Sequence, residues 1–140
     1  MGGHIPRTLI CGCSVEGAAV NYDGDLGKLA NRLLKDLTGK LEKKGVDLEY
    51  ASAWEDAELQ IRFVQVEQGS QLLRYMLPFA APAFMEIQAD LASGEGPPFS
   101  KRYYHEAQGG LFGGSASGML GKCVDRIASR IADDLADRMN

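Results

Sequence analysis

Apolar and polar residues alternate twice between Ala57 and Leu91, in the stretch AELQIRFVQVEQGSQLLRYMLPFAAPAFMEIQADL. Ala57, Leu59, Ile61 and Phe63 interleave with Glu58, Gln60 and Arg62, and Met85, Ile87, Ala89 and Leu91 interleave with Glu86, Gln88 and Asp90. A period of two marks a half-buried strand, so both runs are predicted to lie in one sheet with their apolar sides inward. Beyond Phe63 the apolar set changes parity to Val64 and Val66. A β-bulge near Val64 is the simplest device that moves a strand's inward set by one residue.

Shorter runs flank this pair. Residues 8–15 place Leu9, Cys11, Cys13 and Val15 on one face of a strand, and residues 16–24 read as a loop in which Asn21, Asp23, Gly24 and Asp25 supply turn and N-cap chemistry. From Asp25 onward Leu26, Leu29, Ala30, Leu33, Leu34, Leu37 and Leu41 recur at steps of three and four, which predicts an amphipathic helix. Lys43, Lys44 and Gly45 close it, with cations at the negative end of the helix dipole and a glycine suited to a left-handed stop. Val46, Leu48 and Tyr50 define another short strand, with Trp54 just beyond it as an aromatic closing one end of the core. Residues 99–106 read as a hairpin strand returning after the turn cluster 93–98. Leu120, Cys123, Val124, Ile127, Ala128, Ile131, Ala132 and Leu135 form the apolar line of a closing helix. The order β-α-β-β-β-β-α predicts an α/β (α+β) two-layer sandwich, with a mostly antiparallel sheet of about four to five strands and two amphipathic helices.

Composition narrows the classes of function. The 140 residues, 45% of them hydrophobic and 24% charged, suit one domain over 1–140, with residues 1–6 expected to be a disordered terminus. A net charge of −4 at pH 7 is spread along the chain, with 8 basic and 11 acidic groups in residues 1–70. No basic footprint for nucleic acid results. The apolar run 76–85 is interrupted by Pro78 and Pro82 and falls far short of the roughly 20 residues a membrane-spanning helix needs. The N-terminus shows no secretory signal pattern, which leaves a cytosolic home open.

Candidate chemistry is sparse. Cys11, Cys13 and Cys123 are an odd set that does not resemble a disulfide framework, and their spacing departs from the local pairs usual at zinc sites. They are expected to be reduced, metal-free and packed as small apolar groups. The run GGLFGGSASG over 109–118 invites a phosphate-loop reading, but Ala116 stands where a Walker loop requires glycine, and Cys123 follows Lys122 where it requires Ser or Thr. No triad assembles around His4 or His105, and Cys123 lies on an apolar helix line where burial disfavours a thiolate. Glu55, Asp56 and Glu58 read as a solvated acidic turn. No catalytic residue, cofactor, metal or small-molecule ligand is predicted. The competing reading is a small enzyme or ligand-binding protein with a cleft near His105, Tyr103 and Tyr104.

The run VEQGSQLLRYMLPFAAPAFMEIQADL, from Val66 onward, resembles domain of unknown function 4410, a bacterial family of mostly exported, lipoprotein-like proteins. The likeness rests on a strand ending at Gly69-Ser70, then Leu73-Arg74, a short apolar stretch and a second strand. The GGLFGG run ahead of a C-terminal amphipathic helix looks like that family's closing segment. The resemblance implies a module without established catalysis, in the periplasm or associated with the outer membrane.

The connection at 71–83 is the candidate interaction surface. A link between neighbouring strands is ordinarily short and polar, whereas this one carries Leu72, Leu73, Arg74, Tyr75, Met76, Leu77 and Phe79. Leu111 and Phe112 add a second apolar loop pair. Two readings compete: a plug over the open end of the sandwich, or a surface for a protein partner, a homo-oligomer or peripheral membrane contact.

Overall fold

The computed structural model describes residues 7–70, 76, 82–92, 99–107 and 116–139. Along the chain run β1 (Arg7–Ser14), β2 (Ala19–Asn21), α1 (Leu26–Glu42), β3 (Val46–Tyr50), a 3-10 turn (Trp54–Asp56), β4 (Leu59–Glu67), β5 (Ala83–Leu91), β6 (Phe99–Ala107) and α2 (Ala116–Met139). The strands form one sheet in the order β3-β1-β4-β5-β6, with β2 paired to the end of β4. Both helices pack on the same face, against each other and against the sheet. The expected two-layer α+β sandwich with two helices is therefore what forms.

The sheet is mixed, where a mostly antiparallel one was expected, and carries six strands. β4 pairs antiparallel with β5, and β5 with β6. β1, however, lies parallel to both β3 and β4. A strand, a helix packed on the sheet and a second strand return the chain in the same direction, so β1-α1-β3 enforces a parallel pair. The additional strand is β2, read from sequence as loop. Its three residues are all exposed, so no alternation betrays it. It is held by parallel pairing to Gln65, Val66 and Glu67, and by Asn21 Nδ2 donating to Glu67 Oε2 at 2.6 Å.

The predicted bulge is present: register shifts between Phe63 and Gln65, so that Phe63 and Val66 are both buried. On β5 every odd residue from Ala83 to Leu91 is buried and every even one is half-exposed. α1 starts where the sequence placed its cap, with Asp25 Oδ1 accepting from the Gly27 amide at 2.9 Å. Gly45, at φ 84°, follows α1 in the left-handed region that a side chain would resist. Leu33, Leu37, Ile127, Ile131, Phe63 and Met85 stand at the centre of the single apolar cluster formed by the described residues.

Trp54 closes no end of the core. It lies on the 3-10 turn, 36% exposed, with its ring over Gly12 of β1. Residues 1–6, the turn cluster 93–98 and the glycine run 109–115 lie outside the described residues, as does His4.

Candidate functional site

β6 is an edge strand, and its alternation sends neighbouring side chains to opposite faces. Tyr103 points into the helix–sheet layer and is buried, whereas Tyr104 is 46% exposed on the opposite face, its ring 5.6 Å from that of Phe84. The cluster of His105, Tyr103 and Tyr104 read from sequence is thereby split between two faces, because residues one apart on a strand cannot share a side.

Tyr103 is fixed by its hydroxyl, which donates to Asp134 Oδ2 at 2.7 Å, while Lys101 Nζ reaches the same oxygen at 2.7 Å. Burial, the bond to Asp134 and that residue's charge all push the Tyr103 phenol upward. Burial also pushes Asp134 up, but the bonds from Lys101 and Tyr103 and the lysine charge outweigh it and hold the carboxyl below its ordinary 3.8. A group whose folded pKa is lowered stabilises the fold above its unfolded pKa and loses that contribution as pH falls through the folded value. Asp134 should therefore support the fold at neutral pH and give way below about pH 4. Urea titrations across pH 2.5–7 should show a steeper acid loss in the wild type than in Asp134→Asn; equal slopes would remove Asp134 from the account.

The thiols are not poised for chemistry. Cys11 and Cys123 are buried, Cys13 is half-buried, and all three are free. Burial, reinforced by Cys13, pushes Cys11 up to about 12, and burial pushes Cys13 up to about 11. Cys123 is raised to about 11, mainly by burial, and its Sγ lies 3.4 Å from the His105 carbonyl oxygen. Among the described residues no three His, Cys, Asp or Glu side chains gather in metal-binding geometry.

His105 opens into a groove of about 730 Å³ between the β6 edge and α2, lined on the helix side by Lys122, Asp125, Arg126, Ser129, Arg130 and Asp133. Burial, Arg130 and Arg126 lower the pKa of His105, with Glu106 opposing them. Arg130 NH1 donates to the Tyr104 carbonyl at 2.7 Å, tying helix to edge strand. Asp125 is bound by Arg32 through Nε at 3.2 Å and NH2 at 2.9 Å, and Asp133 by Lys44 at 3.2 Å. Sequence reasoning singled out His105 but missed Lys122, Arg126 and Arg130. Their i, i+4, i+8 spacing on the polar side of an amphipathic helix was a signal, but nothing in the sequence says that this side abuts the β6 edge.

The sheet face opposite the helices carries a polar ladder. Ser100 Oγ donates to Asp90 Oδ1 at 2.6 Å, Gln88 Nε2 donates to the same oxygen at 3.0 Å, and Arg102 Nε donates to Gln88 Oε1 at 3.1 Å. Its character changes at the Phe84–Tyr104 pair. There a second cavity, about 490 Å³, is bounded by Asn21, Glu67, Gly69, Ser70, Pro82, Phe84 and Glu106. Gly69-Ser70 and Pro82 are the two roots of the apolar connection. Of the candidate interaction residues, Met76 is 66% exposed; Leu72, Leu73, Arg74, Tyr75, Leu77, Phe79, Leu111 and Phe112 lie outside the described residues. β5 begins at Ala83, so the last residue of the 71–83 stretch belongs to a strand and is buried. No described helix is long and apolar enough to cross a membrane.

The fold thus defines an α+β domain in which two helices cover one face of a mixed six-stranded sheet. No family model matches the chain, and no curated protein does. Among solved structures it is similar to PelC dodecamers from Paraburkholderia phytofirmans, one of a point variant and the other of the protein without that substitution. One has 14% identity and a TM-score of 0.47, over 94% of this chain and 91% of that one. The other has 12% identity and a TM-score of 0.48, over 96% and 92%. It is also similar to protein XCC0632 from Xanthomonas campestris, of domain-of-unknown-function family 330. Here identity is 7% and the TM-score 0.45, over 94% of this chain and 83% of that one.

Proposed function

We propose that this protein is a non-catalytic binding and assembly module of the bacterial envelope, and that it associates through the apolar connection at 71–83, first of all with a second copy of itself. The observation that carries this reading is the apolar end of the open sheet face. Phe84, which lines the cavity at the roots of the connection, meets the half-exposed Tyr104 in a tilted ring contact, and Met76 of the connection is largely exposed. Large apolar groups left at the surface ask for a cover, which in a chain of this size is most simply another protein. The buried, upward-shifted thiols and the division of His105, Tyr103 and Tyr104 between two faces argue against a nucleophile or acid–base pair at this edge. The resemblance to domain of unknown function 4410 supports the envelope location.

Sedimentation velocity over a range of concentrations tests the reading. The wild type should sediment as an oligomer that Leu77→Ser/Phe79→Ser reduces to a monomer, with a melting temperature within about 2 °C of the wild type, as expected of surface positions. A wild type that stays monomeric at high concentration would remove self-association. A drop of several degrees in the double variant without a change in association would make the connection part of the core.

A further inference from the structure

The groove beside β6 has a charge distribution that the chain itself does not use. Lys122, Arg126 and Arg130 follow one another at intervals of four along α2, so they form a single exposed stripe about 12 Å long. Like charges at this spacing repel, and most helices interleave acids to relieve them. Here the two acids of the groove, Asp125 and Asp133, are drawn toward the other side by Arg32 of α1 and by Lys44. Burial pushes Asp125 up, but the neighbouring Asp36 carboxyl, itself raised in turn, and the Arg32 guanidinium outweigh it, so Asp125 is held below its ordinary range and committed to that arginine. Neither Lys122 nor Arg126 has an ion-pair partner among the described residues. Arg130 is anchored through one NH group on the Tyr104 carbonyl, which holds its guanidinium at the mouth of the groove. The Ser129 hydroxyl lies between the two arginines in sequence, and the His105 ring forms the opposite wall.

We propose that this groove binds a phosphate-bearing ligand, with Lys122, Arg126 and Arg130 as the charged contacts and Ser129 and His105 as neutral hydrogen-bonding partners. Two guanidinium forks suit the paired oxygens of a phosphate, the lysine adds a point charge, and the volume is that of a small-ligand site. The phosphate could be carried by a soluble molecule or by a lipid headgroup, and the chemistry of recognition is the same. The site is on the helix side of the β6 edge and shares no lining residue with the cavity at the roots of the connection, Gly69-Ser70 and Pro82, so it is tested independently of the assembly reading.

The test has two arms. Inorganic pyrophosphate added to labelled protein at low salt should shift the amide resonances of His105, Ser129 and Arg130 together. In parallel, vesicles of phosphatidylglycerol in phosphatidylcholine should be compared with phosphatidylcholine alone by co-sedimentation. Pyrophosphate binding without preferential vesicle binding assigns a soluble ligand; preferential vesicle binding assigns a headgroup. In either case Lys122→Gln/Arg126→Gln should weaken binding roughly tenfold or more, since two charge-assisted contacts are removed. Ser129→Asp, which adds a further carboxylate between the two arginines, should weaken it as well. Lys28→Gln/Lys35→Gln removes the same charge from exposed positions of α1 and should leave binding within about twofold. The proposal is overturned if both arms are silent, or if the α1 variant loses as much binding as the groove variant.

Discussion

Replacing Phe63 with alanine should destabilise the protein by about 3–5 kcal/mol, the ordinary cost of removing a large aromatic from a dense core. Phe63 is 1% exposed and is the largest of the fully buried side chains among the described residues. It pairs with Ile87 across β4 and β5 and stands immediately before the register shift at Gln65. That position makes the cavity hard to close. β4 is hydrogen-bonded on both sides, to β1 and β2 on one and to β5 on the other, and cannot slide inward to fill the space. With domain stabilities of about 5–15 kcal/mol, the variant should approach the margin of folding, and its melting temperature should fall on the order of 10–20 °C. Phe63→Leu keeps most of the volume and should lose much less. Urea unfolding checks both, and a loss below about 1 kcal/mol for Phe63→Ala would mean the core around the bulge is not dense.

The bulge also shows what the sequence could and could not reveal. The parity change from Phe63 to Val66 was legible because each side chain reports its own face, and the same holds for the alternation of β5 and the leucine line of α1. Capping by Asp25 and the left-handed Gly45 were legible for the same reason, since both are local chemistry. Strand direction is not local. The parallel pairing of β1 to β3 could have been inferred from the intervening helix, but its pairing to β4 is decided by packing of distant elements. β2 left no trace, because three exposed residues joined to β4 by backbone pairing and the Asn21–Glu67 bond need no apolar pattern. Around the groove, His105 was noticed as a rare residue type. The stripe of Lys122, Arg126 and Arg130 became meaningful only once α2 was seen to lie along the β6 edge, an arrangement that spans residues far apart in sequence.

Gly12→Val should cost about 1–3 kcal/mol through overpacking and should announce itself in the fluorescence of Trp54, the single tryptophan. A Cβ at position 12 would come within 2.9 Å of the Ala57 Cβ and 3.4 Å of Trp54 Cε3. Neither neighbour can yield easily. Ala57 is buried, its amide donates to the Trp54 carbonyl at 3.2 Å, and the next amide, Glu58, donates to the Ile10 carbonyl at 2.8 Å. The branched side chain must therefore push the 3-10 turn off β1, exposing the indole to water and moving its emission to the red. Gly121→Ala is the contrasting case. The atoms its Cβ would meet belong to the Arg32 guanidinium, the far end of a flexible side chain, whose surface pair with Asp125 is worth at most about 1 kcal/mol. Replacing a mid-helix glycine by alanine returns roughly 0.5–1 kcal/mol, so Gly121→Ala should be close to neutral. If Gly12→Val left both the melting temperature and the Trp54 emission unchanged, the turn would not be seated on β1 through that glycine.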